Sequence, residues 1–183
     1  MYVFQEAALS SQIEGTQATL VDALEADAEQ PGNLEERDDV QEIINYVEAM
    51  RLGINRLAEL PVSKRLIEEI HETLMEDARG GDAVWTPGEI RRSQNGWGGR
   101  SPANARYVPP PVDEMKEALS EWERAVHSDD WALPPLLRIG VLHAQFETIH
   151  PFLDGNGRVG RLLITFLLIA EGILSKPLLY LSI

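Results

Sequence analysis

Residues 150–161, reading His-Pro-Phe-Leu-Asp-Gly-Asn-Gly-Arg-Val-Gly-Arg, put an imidazole, a carboxylate, a carboxamide and two guanidiniums within a dozen positions. Gly155, Gly157 and Gly160 interrupt an apolar pattern that runs up to Ile149 and resumes at Leu162, so the stretch reads as a loop with a backbone path that other residues refuse. Gly155, Asn156 and Gly157 fall at the start of the following helix, where backbone N–H groups lack intrahelical acceptors and the dipole favours an anion. That makes a phosphate cradle. Arg158 and Arg161 are three residues apart, so both forks can converge on phosphate oxygens. Asp154 is placed for Mg²⁺, which prefers carboxylate, water and substrate phosphate. His150, whose ordinary pKa is near neutrality, is the natural base for an incoming hydroxyl. A Gly-rich connection whose arginines pair with surface acids would use similar residues, and 30 Asp and Glu supply partners. The joint presence of all these groups at these spacings favours the phosphate site.

The stretch resembles the Fic family motif, His-Pro-Phe-x-Asp/Glu-Gly-Asn-Gly/Lys-Arg with a second Arg three residues on, and departs from it nowhere. The resemblance implies transfer of AMP from Mg-ATP to a Ser, Thr or Tyr hydroxyl of a protein target, or of the chain itself. On that resemblance His150 is the catalytic base and Asp154 holds Mg²⁺. Gly155, Asn156, Gly157, Arg158 and Arg161 take the phosphates, and Phe152 is an apolar anchor that plants the loop. Relatives that phosphorylate carry an altered Ala-Asn-Lys-Arg loop, so Gly155 and Gly157 argue for the AMP-transferring branch.

A second resemblance lies near the start of the chain. Residues 3–13 have a helical pattern stopped by Gly15. Glu14 is then an acid at a helix C-terminus, where the dipole disfavours it and a cationic partner would help. Ser10, Glu14 and Gly15 are similar to the family's inhibitory motif, Ser/Thr-x-x-x-Glu-Gly/Asn. The resemblance implies that Glu14 pairs with Arg161 and competes with the terminal phosphate, so the enzyme is expected to be autoinhibited. A Glu14 that swings onto water would let the same site remove AMP.

The elements that must position these residues read as helices. Residues 16–29 carry Leu20, Val21 and Leu24 as an apolar face; 34–60 carry Val40, Ile43, Ile44, Val47 and Leu52 on one side. Ser63 caps a helix bearing Leu66, Ile67, Ile70 and Leu74, with His71 at its edge. Pro111 opens a helix to about residue 127, Pro134 and Pro135 open one that delivers His150, and 158–171 is a buried core helix. Residues 85–111 lack helical periodicity, with extended patterns at 89–94 and 106–108 around Gly-rich turns. This resembles the Fic flap, a small β-hairpin that docks a target segment by strand-like pairing, with Ile90, Trp97 and Tyr107 as groove residues. The expected fold is therefore all-α: a Fic-type helical bundle with a small β-hairpin flap, residues 1–30 forming an inhibitory region and 31–183 the catalytic core. The stretch 176–183 reads as the apolar start of a further helix, so trimming at the C-terminus is expected, with part of the adenine pocket beyond residue 183.

His143, Glu147 and His150, at i, i+4 and i+7, also have the spacing of zinc or iron ligands. That metalloenzyme reading leaves Asp154, Asn156 and both arginines without a task. A phosphotransferase using the same loop and a non-catalytic nucleotide- or partner-binding module are the remaining alternatives. The composition narrows the classes further. A net charge of −14 disfavours a nucleic-acid partner. The absence of cysteine excludes disulfides and thiol chemistry. No signal-peptide pattern opens the chain, and no apolar run spans a bilayer, so no membrane partner and a cytoplasmic location are expected. ATP, a protein target and a homodimeric partner are the associations to expect.

Overall fold

The computed structural model describes residues 2–26, 34–76, 86–96, 98 and 104–176. Among the described residues seven helices follow one another: α1 (Tyr2–Ile13), α2 (Leu20–Ala26), α3 (Leu34–Arg56), α4 (Lys64–Leu74), α5 (Val112–Val126), α6 (Pro135–Ile149) and α7 (Asn156–Ala170). The expected all-α architecture is borne out. In the flap region the described residues hold one bridge residue, Tyr107, and no strand, and Trp97 lies outside them. The tail at 177–183 also lies outside. No helix among the described residues is long and apolar enough to cross a membrane.

Helix α7 is the axis of the bundle because it is apolar nearly all round, with Val159, Leu162, Leu163, Phe166 and Leu167 all buried. It packs on α1, α3, α4 and α6. Its crossing with α3 is close because Gly53 has no side chain: a Cβ there would overlap the ring of Phe166. Helix α4 begins where Ser63, extended at φ −149°, accepts a hydrogen bond from the Leu66 N–H at 3.4 Å. Helix α6 starts at Pro135, whose fixed φ and missing N–H suit a first turn. It is tied to α5 by the Trp122 indole N–H, which donates to the Leu142 carbonyl at 2.8 Å.

Two expectations need correction. Val21 and Leu24 of α2 are 58% and 43% exposed, whereas Ala23 is 1% exposed. The segment before α2 is held on α3 by polar bonds, with Asp39 Oδ2 accepting from the backbone N–H of Gln17 at 2.5 Å and Ala18 at 3.2 Å, which leaves room for only a small residue to face α3. Helix α7 begins at Asn156, not at residue 158, because Gly155 takes a left-handed conformation (φ 74°) and turns the chain directly into the helix.

Candidate active site

The 150–161 loop joins the C-terminus of α6 to the N-terminus of α7 and forms one wall of a cavity of about 890 Å³. Glu14, Tyr107, His143, Glu147, His150, Asp154, Gly157 and Arg161 contribute to the lining. A space of this size suits a small-molecule substrate.

His150 ends α6 in the left-handed region, at φ 50° and ψ 63°, and is the only non-glycine residue with positive φ among those described. It lines the cavity beside His143 and Glu147, yet the three form no ligand group. His143 bonds instead to the Gly160 carbonyl at 3.1 Å, and the described residues contain no group of three acids or histidines able to hold a metal. The zinc-type spacing therefore does not become a ligand set. Burial pushes the His150 pKa below its ordinary value, with the Arg91 charge acting the same way, against a bond to the Glu147 carbonyl and the charges of Asp154 and Glu14. A neutral imidazole that donates one ring N–H to that carbonyl keeps its other nitrogen as a proton acceptor.

The loop is braced from within by Asn156, which is buried. Its Oδ1 accepts from the Phe152 N–H and its Nδ2 donates to the Phe152 carbonyl, both at 2.9 Å. The carboxamide thus shapes the loop, while its backbone N–H stands at the first position of α7. Phe152 is buried and stacks on His71, with ring centroids 3.7 Å apart and planes 2° from parallel. His71 accepts the Gly88 N–H on Nδ1 at 2.9 Å, so its other nitrogen, 3.1 Å from the Asp154 carbonyl, carries the hydrogen and donates. Desolvation holds the His71 pKa down to about 4. Asn95 also donates to the Phe152 carbonyl at 2.9 Å.

The two arginines part company. Arg161 faces the cavity and is engaged through Nε and Nη2 by α1 and the residue that follows it. Its Nε donates to Ser10 Oγ at 2.6 Å, and its Nη2 donates to the Ser10 carbonyl at 3.0 Å and to Glu14 Oε1 at 2.7 Å. Gly157 makes this possible, since a Cβ there would overlap Glu14 Oε1. Gly15, at φ 104°, ends the segment that carries Glu14. Arg158, expected beside Arg161, is 3% exposed and does not line the cavity. It lies under the loop, with Nη2 3.6 Å from Asp154 Oδ2 and Nη1 3.8 Å from Glu42 Oε2. The first turn of α7 rolls residue 158 toward α3 while residue 161 emerges on the open side. Asp154 stands at the cavity wall, and an accessible carboxylate beside a phosphate-sized space is a donor that Mg²⁺ accepts.

In the flap region Tyr107 lines the cavity and donates its hydroxyl to the Thr148 carbonyl at 2.9 Å. Ile90, expected in the groove, packs against the hydrophobic core instead. The neighbouring Arg91 is the residue that sequence reasoning missed, along with His71 and Asn95. His71 had a usable signal, because it falls in register with Ile67 and Leu74 on the apolar face of α4. Arg91 had none.

Comparison with known proteins adds the following. The sequence profile described as Fic/DOC family matches residues 61–168, and that described as Fic/DOC family N-terminal matches residues 1–55. The chain is similar to a probable protein adenylyltransferase of Aquifex aeolicus, 36% identical over 74 residues, covering 39% of this chain and 22% of that protein. It is also similar to the protein adenylyltransferase Fic of Drosophila persimilis, 30% identical over 137 residues, covering 74% of this chain and 25% of the other. Among solved structures, a Fic family protein from Desulfovibrio desulfuricans superposes with a TM-score of 0.76 at 27% identity, covering 99% of this chain and 51% of that one. A Fic domain containing signaling protein from Bacteroides thetaiotaomicron gives a TM-score of 0.78 at 22% identity, over 93% and 63%. The chain thus spans about a quarter of the length of these curated relatives.

Proposed function

The chain belongs to the Fic/DOC family, and on that premise we propose that it is a protein adenylyltransferase held in an inhibited state by its own first helix. The observation that carries this reading is the single cavity wall on which a neutral imidazole, an α-helix N-terminus and a guanidinium meet, with Glu14 lying on the guanidinium.

A target Ser, Thr or Tyr hydroxyl gives its proton to His150, and its oxygen attacks the α-phosphorus of ATP while pyrophosphate departs. The N–H groups at the start of α7, with the dipole behind them, hold the phosphates and stabilise the charge that develops there. Asp154 is the residue that would hold Mg²⁺, an ion that neutralises phosphate charge when bound. Arg161 is the fork for the terminal phosphate, and Arg158, buried beneath, supports the loop by balancing Asp154 and Glu42. With Glu14 in place, the Nε and Nη2 edge of Arg161 is taken, and a second anion meets both competition and repulsion. Residues 1–30 serve on this reading as the inhibitory region. Hydrolytic removal, in which a Glu14-oriented water attacks the phosphorus of protein-bound AMP and the target hydroxyl leaves with a proton, is a secondary reading favoured by the placing of Glu14 and His150 on one cavity.

The test uses the Glu14→Gly chain and ATP labelled at either the α- or the γ-phosphate. Label on protein from the α position, abolished by His150→Ala, is the expected result. Label from the γ position alone would convert the reading to a phosphotransferase.

A further inference from the structure

Arg91 is 0% exposed, yet among the described residues it forms no ion pair. Buried guanidiniums are normally paired with carboxylates, because the charge loses its hydration. Here its side-chain hydrogen bonds all go to backbone carbonyls. Nε donates to the His150 carbonyl at 2.9 Å, Nη1 to that of Ser93 at 3.2 Å and Nη2 to that of Pro110 at 2.5 Å. The backbone N–H of the same residue donates to the Pro151 carbonyl at 2.9 Å. One side chain thus touches both legs of the flap and the backbone of the candidate base.

The His150 end of this set is the strained one. A non-glycine residue in the left-handed region needs outside contacts to stay there. A helix that continued through His150 would leave the imidazole on the face of His143 and Glu147. We propose that Arg91 is a positioning residue: its charge-assisted bond to the His150 carbonyl holds that residue in the left-handed turn, aims the imidazole into the cavity and links the flap to the base. The proposal rests on the adenylyl-transfer reading for its kinetic arm alone. Arg91 bonds to His150, Pro151, Ser93 and Pro110 and not to the phosphate cradle or Arg161, so its loss disturbs the base and leaves nucleotide binding in place.

Arg91→Gln and Arg91→Lys, each in a chain that also carries Glu14→Gly, are compared with Glu14→Gly alone. Initial self-labelling with α-labelled ATP and Mg²⁺ is followed across ATP concentrations, and crystal structures are determined in parallel. Misplacing the base should lower the maximal rate of Arg91→Gln about 100-fold or more. Half-saturating ATP should stay within about threefold. Arg91→Lys keeps one charged donor and should recover at least about tenfold of the lost rate. In the Arg91→Gln crystal, His150 should leave the left-handed region.

An unchanged maximal rate, or a rate lost in proportion to ATP affinity in a folded protein, overturns the proposal. Should Arg91→Gln fail to fold, Arg91→Met, which keeps the stem and removes every donor, takes its place, and an unchanged maximal rate there overturns the proposal. If Glu14→Gly itself takes up no label, the adenylyl-transfer reading fails. The crystals then still judge Arg91, and an undisturbed His150 backbone counts against it.

Discussion

The 150–161 loop is gripped from two sides, and the two grips are built from different chemistry. On the α1 side, Ser10 and Glu14 hold Arg161 through contacts that open onto the cavity, with the Glu14 side chain 37% exposed. On the α4 and flap side, Phe152 stacks on His71 while Arg91, Asn95 and His71 donate to loop carbonyls in the interior. A partly hydrated ion pair adds little to stability and can be exchanged for another anion at low cost. A buried stack with satisfied hydrogen bonds cannot be opened without a large loss. The first grip is suited to regulation and the second to holding geometry.

Breaking the interior grip should have the largest effect. Phe152→Ala removes a buried aromatic anchor and is expected to cost about 3–5 kcal/mol, read from urea unfolding. Labelling by the Glu14→Gly chain should fall with it.

Acid should attack the same side. The folded-state pKa of His71, about 4, lies below the ordinary value of 6.5, so the unfolded chain binds the proton more readily. The contribution of neutral His71 is complete above pH 6.5 and is lost as pH falls toward 4, to the extent of roughly 3 kcal/mol. His143 and His150 are shifted in the same direction, so the difference between the parent and His71→Asn across this window isolates the contribution of His71.

On the α1 side the order reverses, with small losses of stability and large gains of activity. Glu14→Gly should cost no more than about 1 kcal/mol in unfolding experiments. The same change should raise self-labelling at least about tenfold, since it frees a fork worth more than 1.4 kcal/mol to a phosphate. Ser10→Ala removes one of three bonds to Arg161 and should raise labelling only about threefold, with a stability loss near 1 kcal/mol. Equal activation by the two variants would show that Arg161 is held by the helix as a whole and not chiefly by the carboxylate.

The sequence was legible where polar residues crowd and glycines break the pattern. The loop, the α1 motif and the helix boundaries near Ser63, Pro111 and Pro135 were all readable on that ground. It was silent on which polar side chains turn inward, because hydrophobic periodicity records only apolar residues. Asp39, Glu42 and Asn45 of α3 are buried and polar, and they receive the 16–18 segment, Arg158 and the end of α4. Nothing in their spacing separates them from a solvated face. The same limit hid Arg91, and it placed Arg158 beside Arg161 when the helix turns the two apart. In α2 the fault was different: the apolar residues were counted, but the close approach of the 16–18 segment to α3 admits Ala23 and turns Val21 and Leu24 outward.

The central claim is that the loop transfers AMP and that Glu14 restrains it. The most direct measurement is the initial rate of label uptake from α-labelled Mg-ATP by the parent chain, Glu14→Gly and Glu14→Gly with His150→Ala, side by side. The account predicts slow uptake, fast uptake and none. Equal uptake by the parent and Glu14→Gly, or persistent uptake without His150, would contradict it.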